Sequence, residues 1–471
     1  MPGSRTRTVA VVGAGAGGLP SAVALAEAGF RVLLIDRGPA GTDPSSYPSH
    51  RYDYETAPAP WGPMDDPPRG PATVSRVFGL GGSTLHFQAV SHAPPKGIVE
   101  TWGLDSGFFS KLIAEVESFI QVAGRVQPEH ALNPCSARLL QGARRLGWHV
   151  HPAPLAILSQ PHAGRPACNR CGLCVYGCSP GDKSSTHLTW WPRGQATGRI
   201  EHLAGHRVDQ LESSADGRVT HVCGQGPRSR FRFEVAGIIL SAGALETPRL
   251  LMAHGLGNAH VGRHLTDSLW QARLLLVGAD RAHEGPPVDL MVNQFQDEGI
   301  LLFHGRNLGG IAGPVTAGVS QTPRWGPGLR RWMRDHYPQL TAIGAYAEAQ
   351  GEGQVGLDGS WSLDLGHNDF VTIKRLSSLL STWGEASAAT LLGEAGSREH
   401  HVTGAMLRGS CRMATGPEDG AVDPKGLLIG HPNVGVADAS VLGRGLIANP
   451  SLTLQALGLL AGRSLAARLA P

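Results

Sequence analysis

The sequence predicts an α/β protein organised on a parallel sheet, with a dinucleotide-binding turn near its N-terminus. Three observations carry this. A short apolar run, residues 9–12, reads as a buried parallel strand. Gly13, Gly15 and Gly18 follow it in G-x-G-x-x-G spacing and open an Ala- and Leu-rich helical stretch. A second apolar run, residues 32–35, comes after a stop at Gly29 and ends on Asp36. Gly13 permits the tight turn, Gly15 lets the backbone approach a pyrophosphate, and Gly18 lets helix and strand pack closely. The helix N-terminus offers free N–H groups and a positive dipole end to phosphates. Asp36 is placed to accept hydrogen bonds from ribose hydroxyls. The motif alone leaves FAD and NAD both open.

The remaining elements follow in order. Residues 38–72 are rich in Pro, Gly and Asp and read as an irregular excursion. It returns at 76–90, where Gly79, Gly81 and Gly82 let backbone lie flat against a ligand. Helices are expected over 100–125, with Asp105 or Ser106 as N-cap, and over 136–147. Residues 206–244 read as a β-meander with a turn at Asp216-Gly217. A helix follows over 246–254, with Pro248 in its first turn. Strand-like runs alternate with Gly/Pro loops between 270 and 360, and a helical stretch covers roughly 367–395.

Composition narrows the class. At 471 residues, the chain accommodates two domains. Hydrophobic content of 41% against 17% charged residues supports a large core and argues against global disorder. The net charge of +3 comes without a basic tract, so nothing points to nucleic acid or an anionic membrane. The seven residues before the first strand leave no room for a signal peptide, and no run reaches the roughly 18 apolar residues of a membrane span. The reading is a cytoplasmic protein.

Four of the seven cysteines form one run. Cys168, Cys171, Cys174 and Cys178 have C-x2-C-x2-C-x3-C spacing, like the ferredoxin runs that ligate a [4Fe–4S] cluster. A [3Fe–4S] cluster, or a remote fourth ligand from Cys135, Cys223 or Cys411, fits the same reading. Zinc, or thiols and a disulfide stabilising a loop, are the alternatives.

The ordered fragments VVGAGAGGLPSAVALAEAGFRVLLID (11–36), GLGGSTLHF (79–87), SAGALETPRLLMAHG (241–255), VGRHLTD (261–267), GSCRM…GAVD (409–423), VGVADASV (434–441) and NPSLTLQAL (449–457) resemble the glucose–methanol–choline (GMC) flavin oxidoreductases over nearly the whole chain. The resemblance implies FAD rather than NAD. It implies a Rossmann-like FAD-binding domain from residues 1–104, 195–268 and 405–471. A substrate-binding domain on an antiparallel sheet would come from 105–194 and 269–404.

By resemblance, the cofactor residues are Gly13, Gly15, Gly18, Asp36, Gly81, Gly82, His86, Val208, Gly243, Asp438, Ala439, Asn449, Pro450 and Thr453. The helix starting near 449–453 would turn its positive end toward the flavin. In some relatives a histidine at the position of His86 bonds covalently to the flavin, and in others it does not.

The family's catalytic pair is a histidine followed some forty residues later by His or Asn. Asn449 matches the second member. Met406 stands where the histidine belongs, and a thioether accepts no proton. His401, in preference to His400, is the expected displaced base. The implied reaction is hydride transfer from an alcohol, polyol or sugar-like carbinol to flavin N5. A cluster would pass electrons to an electron-carrier protein. Two other readings stay open: a non-alcohol reaction (desaturation, reduction or a lyase step), and a catalytically silent FAD-containing or electron-transfer subunit.

Overall fold

In the computed structural model, residues 7–39, 70–71, 74, 76–278, 284–305, 326–395, 401–447 and 449–470 are described. Most of the 38–72 excursion and His400 lie outside the described residues.

The N-terminal segment forms β1 (Thr8–Val12), α1 (Gly18–Glu27) and β2 (Arg31–Asp36). Their apolar residues are buried on both sides, as a parallel strand between helical layers requires. β4 (Ile200–Ala204), β8 (Gly237–Leu240) and β16 (Val434–Val436) complete a five-stranded parallel sheet in the order β16-β8-β1-β2-β4. Sequence-remote segments thus meet at neighbouring strands, with Val12 paired to both Ile35 and Leu240. The C-terminal helix α9 (Ser451–Leu469) lies along α1. Gly458 makes that approach possible, since a Cβ there would sit 2.2 Å from the Gly17 carbonyl oxygen.

The expected meander is partly redistributed. β5 (Arg207–Ser213), β6 (Val219–Gln225) and β7 (Arg230–Glu234) form a three-stranded antiparallel sheet turning at Gly217. The last run, β8, leaves it for the parallel sheet. Its four residues are all buried, which suits a central strand better than a solvated meander edge. α6 (Glu246–Ala253) follows, with Pro248 in its first turn.

The second layer is a six-stranded antiparallel sheet in the order β15-β10-β13-β12-β11-β3. Its strands are β3 (Val150–Pro152), β10 (Ser268–Leu276), β11 (Val288–Val292), β12 (Ile300–Gly305), β13 (Leu340–Glu348) and β15 (Thr390–Ala395). A small pair, β9 (Arg263–Leu265) with β14 (Gly353–Gln354), lies apart from it. The helix expected over 367–395 ends earlier: α8 spans His367–Ala386 and the chain then enters β15.

α4 (Pro134–Arg145), capped by the Asn133 side chain, packs with α8 on one face of this sheet. The other face carries Met291, Leu301 and Phe303, with Phe303 stacked on Tyr346 at 4.7 Å, and meets Ala89, Val90 and Cys174. α7 (Gly326–His336) is peripheral and buries no residue.

The helix expected over 100–125 is two: α2 (Lys96–Thr101) and α3 (Ser106–Ile120), divided at Asp105, whose carboxylate accepts from the Phe108 N–H at 2.6 Å. α3 and α5 (Thr186–Ala196) fall in the segment assigned by resemblance to the substrate domain. Both pack instead into the core of the parallel sheet, through Phe109, Val116 and Trp190. The Trp190 indole donates to Gln455 Oε1 of α9 at 2.7 Å.

Candidate cofactor cleft and active site

One cleft runs along the carboxyl ends of the parallel strands. The β1–α1 turn (13–17), Asp36–Arg37, residues 76–78, Gly82–Ser83, residues 206–208, 241–246, 404–407 except Met406, Asp438–Ala439 and Leu454 line it. The turn is built as its glycines demand. Gly13 has φ +102°, and a Cβ there would lie 2.1 Å from the Ser241 carbonyl oxygen. A Cβ on Gly18 would lie 1.9 Å from the Gly13 oxygen, whereas one on Gly15 meets nothing within 4 Å and points into open space. The second glycine segment lies on the first: the Gly81 N–H donates to Ala14 O at 2.9 Å, and a Cβ on Gly82 would be 2.8 Å from Gly15 Cα.

Asp36 lines the cleft and also binds main chain. Its Oδ2 accepts from the Ala14 N–H, and its Oδ1 from the Gly38 and Gly79 N–H groups, all at 2.8 Å. The carboxylate ties three backbone segments together and forms the floor of the cleft.

Asp438 does the corresponding work at the C-terminal side. Oδ2 accepts from the Gly243 N–H at 2.8 Å and Thr247 Oγ1 at 2.6 Å, and Oδ1 from the Ser440 N–H at 2.8 Å. Ser241 Oγ donates to Ala437 O at 2.7 Å. Helix α9 begins at Ser451 without a side-chain cap. Ser451 Oγ, Thr453 Oγ1 and Gln455 Nε2 are buried and lack hydrogen-bond partners among the described residues. Three unsatisfied polar atoms in the first turns of a buried helix would each cost about 1–3 kcal/mol without a polar ligand or water. These atoms and the open Gly15 cradle fit FAD.

Val208, Gly243 and Ala439 line the cleft, while Gly18, Gly81, His86, Asn449, Pro450 and Thr453 are not among its lining residues. His86 follows a short turn, Gly82–Leu85, and donates from Nδ1 to Val175 O at 2.9 Å, which leaves Nε2 unprotonated. Burial, helped by the Lys183 charge, lowers its pKa to about 4. Lys183 is itself fully buried and donates to Leu85 O at 2.7 Å and to Cys174 O.

The cysteine run forms part of that support. Cys168, Cys171, Cys174 and Cys178 are free, and Cys178 Sγ donates to Asp182 Oδ1 at 3.5 Å. Burial raises the thiol pKa values, that of Cys178 to about 11. Among the described residues no three His, Cys, Asp or Glu side chains converge where they could hold a metal ion. The loop therefore does not fit the iron–sulfur cluster, or the zinc, that its spacing suggests. Cys135, Cys223 and Cys411 lie elsewhere, against His304, Glu212 and the 438–440 segment.

The expected base is also displaced. His401, at φ +51°, accepts the Trp270 N–H through its carbonyl, and its Nδ1 meets Gln271 Nε2 at 3.2 Å. Its ring stands edge-on to Phe370 of α8 at 6.1 Å. Its neighbour Val402 packs with Leu269 and Leu376, and His401 is not among the residues that line the cleft. Met406 is buried, and Arg408 beside it donates to Ser268 Oγ and to Met406 O and pairs with Glu348 at 3.0 Å.

Arg37, Arg76, Phe78, Arg207 and Glu246, at one end of the cleft, escape sequence reading. The one local signal is that Arg37 directly follows Asp36.

A parallel sheet with a glycine-lined cleft at its carboxyl ends, facing an antiparallel layer, defines a two-layer dinucleotide-dependent oxidoreductase. The chain belongs to the GMC oxidoreductase family, whose N-terminal model matches residues 15–270 and whose C-terminal model matches residues 378–458. It is 24% identical to the 2-methyl-1,2-propanediol dehydrogenase of Mycolicibacterium austroafricanum, over 96% of this chain and 94% of that one. It is 26% identical to the paromamine 6'-oxidase of Streptomyces fradiae, over 98% of this chain and 92% of that one. Among solved structures, pyridoxine 4-oxidase from Mesorbium loti superposes with a TM-score of 0.74 at 17% identity, covering 97% of this chain and 99% of that one. A formate oxidase of Aspergillus oryzae RIB40, in a study of FAD modification, gives a TM-score of 0.70 at 15% identity and covers 99% of each chain. No helix among the described residues is long and apolar enough to cross a membrane.

Proposed function

We propose that the chain is an FAD-dependent enzyme that oxidises the carbinol group of a small alcohol, polyol or sugar-like substrate. The observation that carries this is the meeting of residues 13–17, 82–83, 241–246 and 438–439 around one cleft. The names of the curated relatives, a diol dehydrogenase and long-chain-alcohol oxidases among them, point to the same substrate class. FAD would supply the hydride acceptor. Gly13, Gly15, Gly82 and Ser83 would hold its pyrophosphate, and Ser451 and Thr453 the buried polar edge of the ring system. Asn449, just before α9, would orient the substrate hydroxyl and stabilise charge developing on its oxygen. His86 would stand beside the cofactor as a neutral imidazole. The iron–sulfur relay, and the electron-carrier protein inferred from it, have no part in this reading.

A second reading draws on one observation: Met406, buried at the position of the family's base, cannot take a proton. It assigns the same scaffold to a non-alcohol flavin reaction or a silent subunit. Anaerobic mixing of the FAD-loaded protein with a panel of primary, secondary, polyol and amino-sugar alcohols separates the two. Bleaching of the flavin band by at least one alcohol is expected. A flavin that stays oxidised with every alcohol, while dithionite bleaches it, favours the second reading.

A further inference from the structure

Arg408 follows Met406 by two residues and is almost wholly out of solvent, 2% exposed. Its Nη1 donates to Ser268 Oγ at 3.2 Å and to Met406 O at 3.1 Å, and its Nη2 to Glu348 Oε1 at 3.0 Å. Main-chain bonds to Thr266, at 2.9 and 3.0 Å, hold the same residue against the segment that leads into β10. Glu348 closes β13, directly across from Ser268. Its other oxygen, Oε2, accepts from the Gly445 N–H at 2.6 Å. One carboxylate thus grips both the turn that carries Met406 and the segment that leads to Asn449. That segment has little room to slip, because Gly445 has φ +93° and a Cβ there would lie 2.2 Å from Ile98 Cδ1 of α2. Arg444 ties it further, donating to Glu352 Oε1 at 3.1 Å and to Gln350 O at 2.6 Å. Charge-assisted bonds largely closed to water are strong, and either partner alone would be an uncompensated buried charge.

We propose that Glu348 and Arg408 are positioning residues, a clasp that sets the spacing between the Met406 turn and the segment leading to Asn449. The inference rests on the reading of Asn449 given above and deepens it. Neither side chain is among those that line the cleft, so the clasp acts through the main chain of Met406 and Gly445.

The test compares local mobility with rate in FAD-loaded, full-length Glu348→Ala, Arg408→Ala and the double variant. Amide exchange read by mass spectrometry is expected to quicken by about tenfold in residues 403–409 and 441–447 and to stay as in wild type over 8–36. The limiting rate of flavin reduction, with whichever alcohol of the panel bleaches wild type fastest, is expected to fall by about tenfold or more, the order of cost that a small misplacement carries. Half-saturation should change little and FAD content not at all. The double variant is expected to lose no more than either single one, as two halves of one device do. Exchange and rate like those of wild type overturn the proposal. So does exchange that quickens equally over 8–36, which would make the pair a general stabiliser, and so do losses that add in the double variant. If E348A or R408A yields no folded protein, Glu348→Gln and Arg408→Lys decide by the same two readouts. Wild-type protein that loads FAD but is reduced by no alcohol would remove the functional reading, and the exchange comparison still decides the clasp.

Discussion

The Asp438 carboxylate accepts a hydrogen bond from the Gly243 N–H at 2.8 Å, across 195 positions of sequence. With Thr247 and Ser440 on the same carboxylate, the bond fixes the middle of the chain to its C-terminal part at the wall of the cleft. Asp438→Ala leaves three donors without their acceptor, each worth about 1–3 kcal/mol when buried. We expect reduced thermal stability and FAD lost on gel filtration. D438A protein that retains FAD like the wild type would contradict the role.

Asp36 is expected to act before any cofactor binds. Asp36→Asn replaces an acceptor-only group by an amide and breaks charge-assisted bonds to Ala14, Gly38 and Gly79. The variant should melt lower than wild type even as flavin-free protein. A ribose ligand alone would leave the flavin-free melting temperature unchanged.

Helix α1 and helix α9 touch through glycine. A Cβ on Gly458 would lie 2.2 Å from Gly17 O, which is main chain and cannot rotate away. Gly458→Ala should cost about 1–3 kcal/mol or more by overpacking. Thermal denaturation checks this; an unchanged melting temperature would mean that the helices are not in contact.

The antiparallel layer carries a buried polar network with a pH signature. His304 meets Asp289 at 2.6 Å through Nδ1, Thr341 Oγ1 at 2.6 Å through Nε2, and Cys135 Sγ at 3.8 Å, with Ser136 on the same carboxylate. Burial opposes its charge, but the Asp289 carboxylate outweighs it and raises the pKa to about 9. A folded pKa above the unfolded value of about 6.5 stabilises fully below pH 6.5, and the benefit is lost as pH rises through 9. We expect wild-type stability to fall by up to about 3 kcal/mol across that window. His304→Gln should be less stable at pH 6.5 and lack this slope. An identical slope in the variant would refute the assignment.

The catalytic residues are expected to divide. His401→Ala should leave the rate of flavin reduction within about twofold, because the ring packs on Gln271 and Phe370. Asn449→Ala should lower it by about 10²-fold, as loss of an oxyanion donor does. Rapid-mixing absorbance measures both. A collapse of the rate in H401A would return the base to His401.

What was legible in the sequence was local. The 13–36 unit announces itself because glycine spacing, strand run and helix pattern agree within thirty residues. What escaped depends on partners far along the chain. β8 reads like a meander strand until β1 and β16 enclose it. α3 and α5 flank elements of the antiparallel layer in the sequence, but they pack on α9 and α1 respectively. The cysteine spacing resembles a cluster motif, yet spacing does not specify how a loop turns its side chains. His401 looked like a base because it stands near Met406 in sequence. The β10 pairing puts its carbonyl on the Trp270 N–H and its ring on Gln271 and Phe370, outside the residues that line the cleft.

The most direct test of the account is the visible spectrum of anaerobically purified full-length protein, taken with iron and flavin analysis before and after acid precipitation. The account predicts a flavin spectrum from stoichiometric FAD, no broad iron–sulfur absorption, and iron near zero. Colourless protein that cannot be loaded with FAD would contradict its central claim, that residues 13–18 and 438–453 form one cleft for a single flavin dinucleotide.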